Sequence, residues 1–439
     1  MSKPRILLAL FNETATQGIF DSKAIGSLAS YAKLDLLHAS PIDVASKYFN
    51  NIYVWPRYAY RERAWLALYQ LHLLPFTRTY YPERLGDQNL WQGFRAYVKV
   101  LLPLFDNWLC RAAVVSLLRR YLDRTNPLLS ILDGTYDAIV CITGIKDPMY
   151  EDLVRFGRAK TVPVFAITQN WDNINYKPIV ERPDLLGVWG MQGYYVARLV
   201  HGFTHAQLVP VGSARMEVYF DALPEPCAAR PYFGLPQQKT ILLFAGAGPQ
   251  FEEASLIRRL DDAISSGQLP DDVLILYKPH PRRAPRPQER PLDFSCLKHV
   301  RLVPPSGPGS VSICELPALL RAVDGVVSPY STLLLEAALC GRPCLAIAYD
   351  DPAHNAIKWE TVRTYIHLTP LSFAPWALAC TDKEALVVDA RRLVELTKHR
   401  DLGRRAREDA LHILFHDGRD FGTRVADAVA SLMAVGECR

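Results

Sequence analysis

Residues 325–343 read GVVSPYSTLLLEAALCGRP, and this stretch decides the fold. The run GVVS is typical of a short buried strand, and Pro329 begins a turn. Ser331 and Thr332 then stand where helix N-caps belong, LLLEAALC has a helical pattern, and Gly341 follows as a C-cap. A strand, a tight turn and a helix in this order form one repeat of a doubly wound parallel sheet.

The same alternation of apolar runs and helical patterns extends along the chain. In the second half the apolar runs lie at residues 240–244, 273–277, 299–303, 325–328 and 344–348. In the first half they lie at residues 6–11, 137–142, 162–167, 186–189 and 208–211, with a helix expected over 21–32. The pattern predicts an α/β chain with two Rossmann-like parallel sheets.

A proline-rich stretch separates the two halves. Residues 222–238, ALPEPCAARPYFGLPQQ, hold four prolines and one glycine, which suit neither a helix nor a strand. We therefore predict an N-terminal domain over 1–221, a linker over 222–238 and a C-terminal domain over 239–395. Helices over 396–439 are expected to pack back on the N-terminal domain.

Length and composition limit the classes of protein to consider. The 439 residues are 49% hydrophobic and 22% charged, which allows two or three globular domains and excludes a disordered or collagen-like chain.

Nine scattered cysteines without a C-x-x-C pair argue against a disulfide framework or a metal site and favour a reducing, cytoplasmic compartment. The N-terminus leads into a strand rather than a signal peptide, and no apolar run has membrane-spanning length. The net charge of +5 suits anionic ligands but is too small to indicate nucleic acid.

One segment, residues 55–124, differs from the rest. It carries eleven arginines and lysines against five aspartates and glutamates, interleaved with aromatic residues. This composition suits an insertion that lies on an anionic membrane or holds an acceptor. It equally suits an ordinary helical insertion whose arginine stems cover a core.

Two motifs of the second half indicate a phosphate site. Lys278, His280 and Arg282 follow the strand at 273–277, where ligands of open α/β sheets bind; the alternative is a basic surface turn. The helix start at Ser331 and Thr332, next to Ser328, offers unpaired amides to an anion. Glu336 within that helix suits a ribose diol, or else an ion pair with an arginine. Gly246 belongs to a Gly-x-Gly pair that lets a backbone approach closely, but Phe251 replaces the third glycine of a dinucleotide fingerprint.

Polar loops follow the strands of the first half as well. Residues 12–23 are expected to form a loop in which Glu13 or Asp21 acts as general base beside Lys23, although Asp21 could instead cap a helix. Two further loops suggest recognition, with turn chemistry as the alternative. Their candidate residues are Lys146, Asp147, Gln169, Asn170, Trp171 and Asp172.

These motifs, in this order, resemble those of bacterial surface-carbohydrate glycosyltransferases of the GT-B type. The matching segments of the first half are Glu13-Thr14 with Asp21 and Lys23, QNWDN at 169–173, VWG at 188–190 and VGSAR at 211–215. KPHP at 278–281 and SPYSTLLLEAALCGRP at 328–343 resemble the HP and serine motifs of capsule glycosyltransferases. Similar motifs occur in Kdo transferases, polysialyltransferases and glycerophosphotransferases. The resemblance covers most of the chain outside residues 55–124.

The resemblance implies a GT-B fold of two facing Rossmann-like domains with a cleft between them. The C-terminal half would bind a nucleotide-sugar donor, CMP- or UDP-linked, through His280, Lys278, Arg282, Ser331, Thr332 and Glu336. The N-terminal half would bind a glycan or glycolipid acceptor, with neither metal nor further cofactor and with possible peripheral association at the inner membrane face. Three alternatives remain open: a nucleotide-sugar 2-epimerase, a polyol-phosphate transferase and a non-catalytic polysaccharide assembly protein.

Overall fold

The structure is a computed structural model that describes residues 3–39, 46–80, 107–221, 226–246, 253–280, 292–303, 315–349, 362–363 and 365–437. The chain divides into two compact units. The first comprises Met1–Glu217 and Ile413–Arg439, and the second comprises Val218–His412. None of the helices within these described ranges is both long and apolar enough to cross a membrane.

The first unit is built on a parallel sheet of seven strands. In chain order they are β1 (Arg5–Leu10), β2 (Lys33–His38), β3 (Phe49–Val54), β4 (Ala138–Thr143), β5 (Val164–Thr168), β6 (Leu185–Val188) and β7 (Leu208–Pro210). The spatial order is β3-β2-β1-β4-β5-β6-β7, so the chain reverses its direction of travel between β1 and β4. In open α/β sheets ligands bind at such a switch point, outside the carboxyl ends of the strands.

Helices cover both faces of this sheet. They are α1 (Glu13–Asp21), α2 (Ala24–Tyr31), α3 (Ala59–Tyr80), α4 (Trp108–Arg124), α5 (Leu128–Ile131), α6 (Pro148–Lys160) and α7 (Met191–Leu199). Alternate residues of β1 serve the two faces, as the period of a strand requires. Leu8 packs with α1 and α2 in one core cluster, and Leu7 packs with α6 in the other.

The second unit repeats the plan with six parallel strands. They are β8 (Thr240–Ala245), β9 (Val273–Lys278), β10 (Val300–Leu302), β11 (Gly325–Pro329), β12 (Cys344–Ile347) and β13 (Ala377–Cys380). The spatial order is β10-β9-β8-β11-β12-β13, which places the switch point between β8 and β11. The helices are α8 (Pro226–Tyr232), α9 (Ala254–Ser265), α10 (Leu316–Ala322), α11 (Thr332–Leu339), α12 (Thr369–Ser372), α13 (Leu386–Thr397) and α14 (Arg400–Ile413).

The last helix, α15 (Phe421–Glu437), belongs to the first unit. Its Phe421, Val425 and Val429 pack in the same core cluster as Ala24 and Leu28 of α2. A Cβ at Gly422 would lie 2.1 Å from the backbone oxygen of Ala24, so only glycine permits this close approach. The chain rejoins the first unit at Ile413, later than the expected residue 396.

The two predicted Rossmann-like sheets are confirmed, and ten predicted strands match observed ones within about two residues. Two local expectations were wrong. The loop expected over 12–23 contains α1, because Asn12 caps a helix there; Asp21 lies at the end of α1, and Lys23 holds the N-cap position of α2. The stretch 222–238 contains α8, whose Arg230 donates a 3.0 Å hydrogen bond to the backbone oxygen of Ala322.

Candidate functional site

The carboxyl ends of β8, β9 and β11 bring the predicted donor residues of the second unit to one sheet edge. β8 lies between β9 and β11, so Gly246 follows the middle strand, Lys278 ends one neighbour and Ser331 follows the other. The Gly246 amide donates a 2.9 Å hydrogen bond to the backbone oxygen of Lys278. We call this edge, with Lys278, His280, Ser331 and Glu336, the second-sheet edge.

The start of α11 is the part of this edge best suited to an anion. Ser331 holds the N-cap position in the extended conformation typical of an N-cap residue, with φ −158° and ψ 171°, yet its hydroxyl makes no capping hydrogen bond. Ser328, at the end of β11, is buried. The hydroxyl of the neighbouring Tyr330 is buried without a hydrogen-bond partner among the described residues. The first-turn amides of a helix have no intrahelical acceptor, so a ligand oxygen at this point would receive several donors.

Glu336 lies one turn inside α11 and is buried. The Tyr219 hydroxyl donates a 2.9 Å hydrogen bond to its carboxylate. Burial lowers the pKa of Lys278, while the negative charge of Glu336 acts in the opposite direction. Lys278 and Glu336 therefore interact electrostatically at the second-sheet edge, and a bound phosphate would add to the charges that favour the lysine cation.

Gly246 has a packing role. A Cβ at this position would lie 2.3 Å from the Glu253 carboxylate, which is buried and accepts a 2.5 Å hydrogen bond from the Tyr277 hydroxyl. The absence of a side chain at Gly246 thus makes room for Glu253 beneath the sheet edge. Arg282, which was expected to neutralise phosphate, lies outside the described residues.

The corresponding edge of the first unit is held together by side-chain amides. Asn12 caps α1 by accepting a 3.0 Å hydrogen bond from the amide of Ala15. The side chains of Asn12 and Gln169 exchange two hydrogen bonds of 2.9 and 3.0 Å, which join the ends of β1 and β5. We call this edge, from Asn12 through residues 144–147 to residues 169–177, the first-sheet edge. Glu13 and Asp21 lie in α1 near it, but their side chains are outside the described residues.

Residues 144–147 follow β4 at the switch point of the first sheet. Lys146 is exposed, with its ammonium 5.4 Å from the centre of the Tyr69 ring. Asp147 is fully buried and caps α6 by accepting a 2.9 Å hydrogen bond from the amide of Met149. Burial raises the pKa of Asp147 well above its ordinary range. The described contacts of Asp147 are thus those of a helix cap, which is the turn-chemistry alternative for this residue.

The segment after β5 is a compact turn. The Asn170 amide donates 2.8 Å to Asn173, and Asp172 accepts a 2.6 Å hydrogen bond from the Tyr176 hydroxyl. Trp171 is buried. The Lys177 ammonium donates 3.2 Å to the backbone oxygen of Gly144, and burial lowers the pKa of Lys177.

A shallow pocket opens to solvent beside α1. Its polar lining comes from Thr168, Gln169, Ser213 and Arg215, and its wall includes Gly18, where a Cβ would lie 3.1 Å from that of Arg215. The pocket therefore brings the QNWDN and VGSAR segments together. Lys23 is exposed and does not line it.

Several residues of these edges were not singled out from the sequence. Asn12 could have been recognised, because an asparagine directly before a helical pattern is a common N-cap. Tyr219, Glu253 and Tyr330 carry no local signal, since their roles depend on contacts with residues distant in sequence or on burial. Within the described ranges, no group of three or more histidine, cysteine, aspartate or glutamate residues could hold a metal ion.

Comparison with known proteins places this architecture in a broader context. The sequence matches no protein-family model and no curated protein sequence. Among solved structures, the wall teichoic acid polymerase TagF is similar at 11% identity and TM-score 0.50, over 100% of this chain and 90% of that one. The glycotransferase of kitacinnamycin is similar at 10% identity and TM-score 0.53, over 98% and 100%. The UDP-N-acetylglucosamine 2-epimerase of Rickettsia bellii is similar at 12% identity and TM-score 0.52, over 100% and 98%.

Such low identities establish the fold and nothing finer. Because each match spans nearly the whole of both chains, the protein has the two-domain, Rossmann-like GT-B fold that the sequence predicts. A fold of this kind hosts several chemistries, so the activity has to be argued from the two sheet edges.

Proposed function

We propose that this protein is a glycosyltransferase that moves a sugar from a nucleotide-activated donor to a glycan or glycolipid acceptor of a bacterial surface polysaccharide. The observation that carries the proposal is the start of α11, where the Ser331 hydroxyl leaves the helix uncapped at the switch point of the second sheet. Lys278 stands at the end of β9 on the same edge, and His280 follows it in the chain. The bacterial acceptor class rests on the resemblance of the motifs.

The second-sheet edge supplies what a nucleotide donor needs. Donor phosphates would accept hydrogen bonds from the Ser331 hydroxyl and the first amides of α11, with the Lys278 and His280 side chains alongside. Glu336 accepts a hydrogen bond from the Tyr219 hydroxyl. In the complex its carboxylate would accept hydrogen bonds from the ribose diol. This division matches the chemistry of each group, because phosphates need donors and a diol offers donors.

In the proposed reaction an acceptor hydroxyl oxygen attacks the anomeric carbon of the donor sugar. The new carbon–oxygen bond forms as the bond from the anomeric carbon to the donor phosphate breaks, and the nucleotide leaves with that electron pair. The hydroxyl proton passes to the carboxylate of Glu13 or Asp21, if the configuration inverts. The α11 amides and Lys278 stabilise the charge that grows on the leaving phosphate, without a metal ion.

The first-sheet edge is the proposed acceptor side. The shallow pocket beside α1 offers Gln169, Ser213 and Arg215, which can exchange hydrogen bonds with sugar hydroxyls or an anionic substituent. Lys23, Lys146 and Asn170 complete the proposed acceptor surface. Trp171 and Asp172 would hold this surface in shape, because Trp171 is buried in the turn after β5 and Asp172 accepts a hydrogen bond from Tyr176 there.

Titration calorimetry with CMP, UDP, GDP and CDP tests the donor site directly. We expect one nucleotide to bind, and Ser331→Ala to weaken it about tenfold or more, because a hydrogen bond to a charged phosphate contributes roughly 1.5–3 kcal/mol. Ser265→Ala, at an exposed serine of the same unit, is the matched control and should leave affinity unchanged. Binding of none of the four would favour the non-catalytic assembly protein.

Product analysis then separates the enzyme classes. Conversion of UDP-N-acetylglucosamine without an acceptor would identify a 2-epimerase, the activity named for one structural neighbour. Transfer from a CDP-polyol, with release of CMP, would identify a polyol-phosphate transferase. Sugar transfer that requires both a nucleotide sugar and a glycan acceptor is the expected result.

A further inference from the structure

The outward face of α4 is apolar where a solvent-facing helix is ordinarily polar. Leu109, Ala113 and Leu117 recur at intervals of four residues and share one face of the helix. Trp108 is 67% exposed, Leu109 59% and Leu117 64%. The opposite face of α4 has a separate role, because Leu122 packs there with Trp65 and Leu68 of α3.

The charges that remain on this outward face are positive. The helix carries four arginines and one aspartate. Two of these five groups form ion pairs with neighbouring elements while staying partly exposed: Arg119 lies 3.1 Å from Glu181, and Asp123, half exposed, lies 2.6 Å from the buried Arg155. Arg120 and Arg124 are exposed on the side of Leu117. An apolar stripe with basic neighbours complements a surface that offers both hydrocarbon and anionic phosphate.

The helix is fixed to the first unit, so its outward face is presented as a rigid surface. Buried Arg61 of α3 donates a 3.0 Å hydrogen bond to the backbone oxygen of Leu122 and pairs with Asp152 of α6. Arg155 of α6 joins Asp123 to Glu181. These contacts anchor α4 without using any side chain of its outward face.

We propose that the outward face of α4, formed by Leu109, Leu117, Arg120, Tyr121 and Arg124, binds the surface of an anionic lipid bilayer. The leucines enter the boundary between headgroups and acyl chains, and the arginines contact lipid phosphates. Tyr121 lies on this face and Trp108 is exposed at the start of the helix, and both suit the interfacial level where amphipathic rings partition. This binding is independent of the proposed glycosyl transfer.

Co-sedimentation of the full chain with vesicles tests the proposal. We expect binding to phosphatidylcholine vesicles that contain phosphatidylglycerol, weaker binding to phosphatidylcholine alone, and a decline as salt rises. The double variant Leu109→Gln/Leu117→Gln should lower the partition coefficient at least about tenfold on both kinds of vesicle. Arg120→Gln/Arg124→Gln should lower it only on the anionic vesicles, by about tenfold.

Two matched controls keep the outcome specific to α4. Leu199→Gln/Phe373→Gln removes two apolar side chains elsewhere that are even more exposed, and Arg404→Gln/Arg405→Gln removes the same charge from α14. Both controls should bind vesicles like the unchanged protein. Absence of binding to either vesicle would overturn the proposal, as would equal losses in the α4 variants and the controls. A change of oligomeric state in the α4 variants with vesicle binding intact would assign the face to a second copy instead.

Discussion

The two sheet edges have the same topology but use their polar residues differently. At the first-sheet edge most of the described polar groups bond to one another: Asn12 with Gln169, Asp172 with Tyr176, and Lys177 with the backbone of residue 144. At the second-sheet edge the Ser331 hydroxyl caps no helix, and the Tyr330 hydroxyl has no partner within the described ranges.

This difference distinguishes polar groups that stabilise a loop from polar groups that are available to bind a ligand. A polar group that already has its hydrogen bonds in the protein gains little from a ligand, whereas a buried hydroxyl without a partner gains the full value of the bond it lacks. The second-sheet edge is therefore the better candidate for tight nucleotide binding. At the first-sheet edge the proposed acceptor contacts lie at the pocket that Gln169, Ser213 and Arg215 line.

The largest effect is expected for the general base that the first-sheet edge would supply. Glu13→Gln should lower turnover about 10²–10⁴-fold, the range of general base catalysis, while the nucleotide dissociation constant stays within about twofold. Turnover and calorimetric affinity measured on the same preparation check both statements. Asp21→Asn is the companion variant, since the proposal assigns the base to one of the two carboxylates and expects substitution of the other to have little effect. An equal loss of affinity and turnover in Glu13→Gln would remove its role.

A comparison of two lysines tests the difference between the edges. Lys278→Met should weaken nucleotide binding about 10–100-fold, because it removes a charged donor from phosphate. Lys146→Met, at an exposed lysine of the first-sheet edge, should not change it. Since burial lowers the pKa of Lys278, affinity should fall as pH rises through that lowered pKa and the cation is lost. Calorimetry over a pH series would reveal this decline in the unchanged protein and its absence in Lys278→Met.

The strands that could be predicted from the sequence are those marked by a continuous run of apolar residues. Runs such as TILLF and VLILY are buried on both faces, and their composition alone indicates strands. β2 was missed because the acidic Asp35 interrupts the apolar run of KLDLLH. The buried Asp35 is stabilised by Arg5 at 2.7 Å and by the Tyr136 hydroxyl at 3.1 Å, partners that sequence patterns do not reveal. β3 was missed because it is an edge strand with exposed asparagines.

The candidate site divides in the same way. Ser331, Thr332 and Gly341 could be placed from the strand–turn–helix pattern, and Gly341 does have the positive φ of a residue that ends a helix, +70°. Tyr219 could not be placed, because its partner Glu336 lies 117 residues away. Asp147 was assigned to recognition from a motif, whereas its burial as a helix cap follows from tertiary packing.

Two Gly→Ala variants test whether Gly246 serves packing at the second-sheet edge or contact with a ligand. Gly246→Ala should destabilise the protein by about 1–3 kcal/mol, because its Cβ meets the buried Glu253 carboxylate and forces neighbouring groups to move. Gly26→Ala, in α2 with open space around its Cβ, should stabilise it by about 0.5–1 kcal/mol through helix propensity. Urea unfolding measures both. Unchanged stability with weakened nucleotide binding in Gly246→Ala would show that the glycine serves the ligand and not Glu253.

The smallest effect, and the one most specific to the first-sheet edge, concerns Asp147. Its pKa is raised by burial, so the folded state binds the proton more tightly than the unfolded chain. Its contribution to stability is therefore greatest below the ordinary aspartate range and is lost as pH rises.

The variant Asp147→Asn keeps an oxygen that accepts a hydrogen bond from the amide of Met149, but its side chain cannot ionise. We expect the two proteins to be similar in stability at about pH 4 and the variant to become the more stable of the two as pH rises above the ordinary aspartate range. Urea unfolding at several pH values measures this difference, and parallel curves would mean that folding does not shift the pKa of Asp147. An unchanged acceptor KM in the variant would leave Asp147 with the helix, whereas a raised KM at equal stability would return it to the acceptor site.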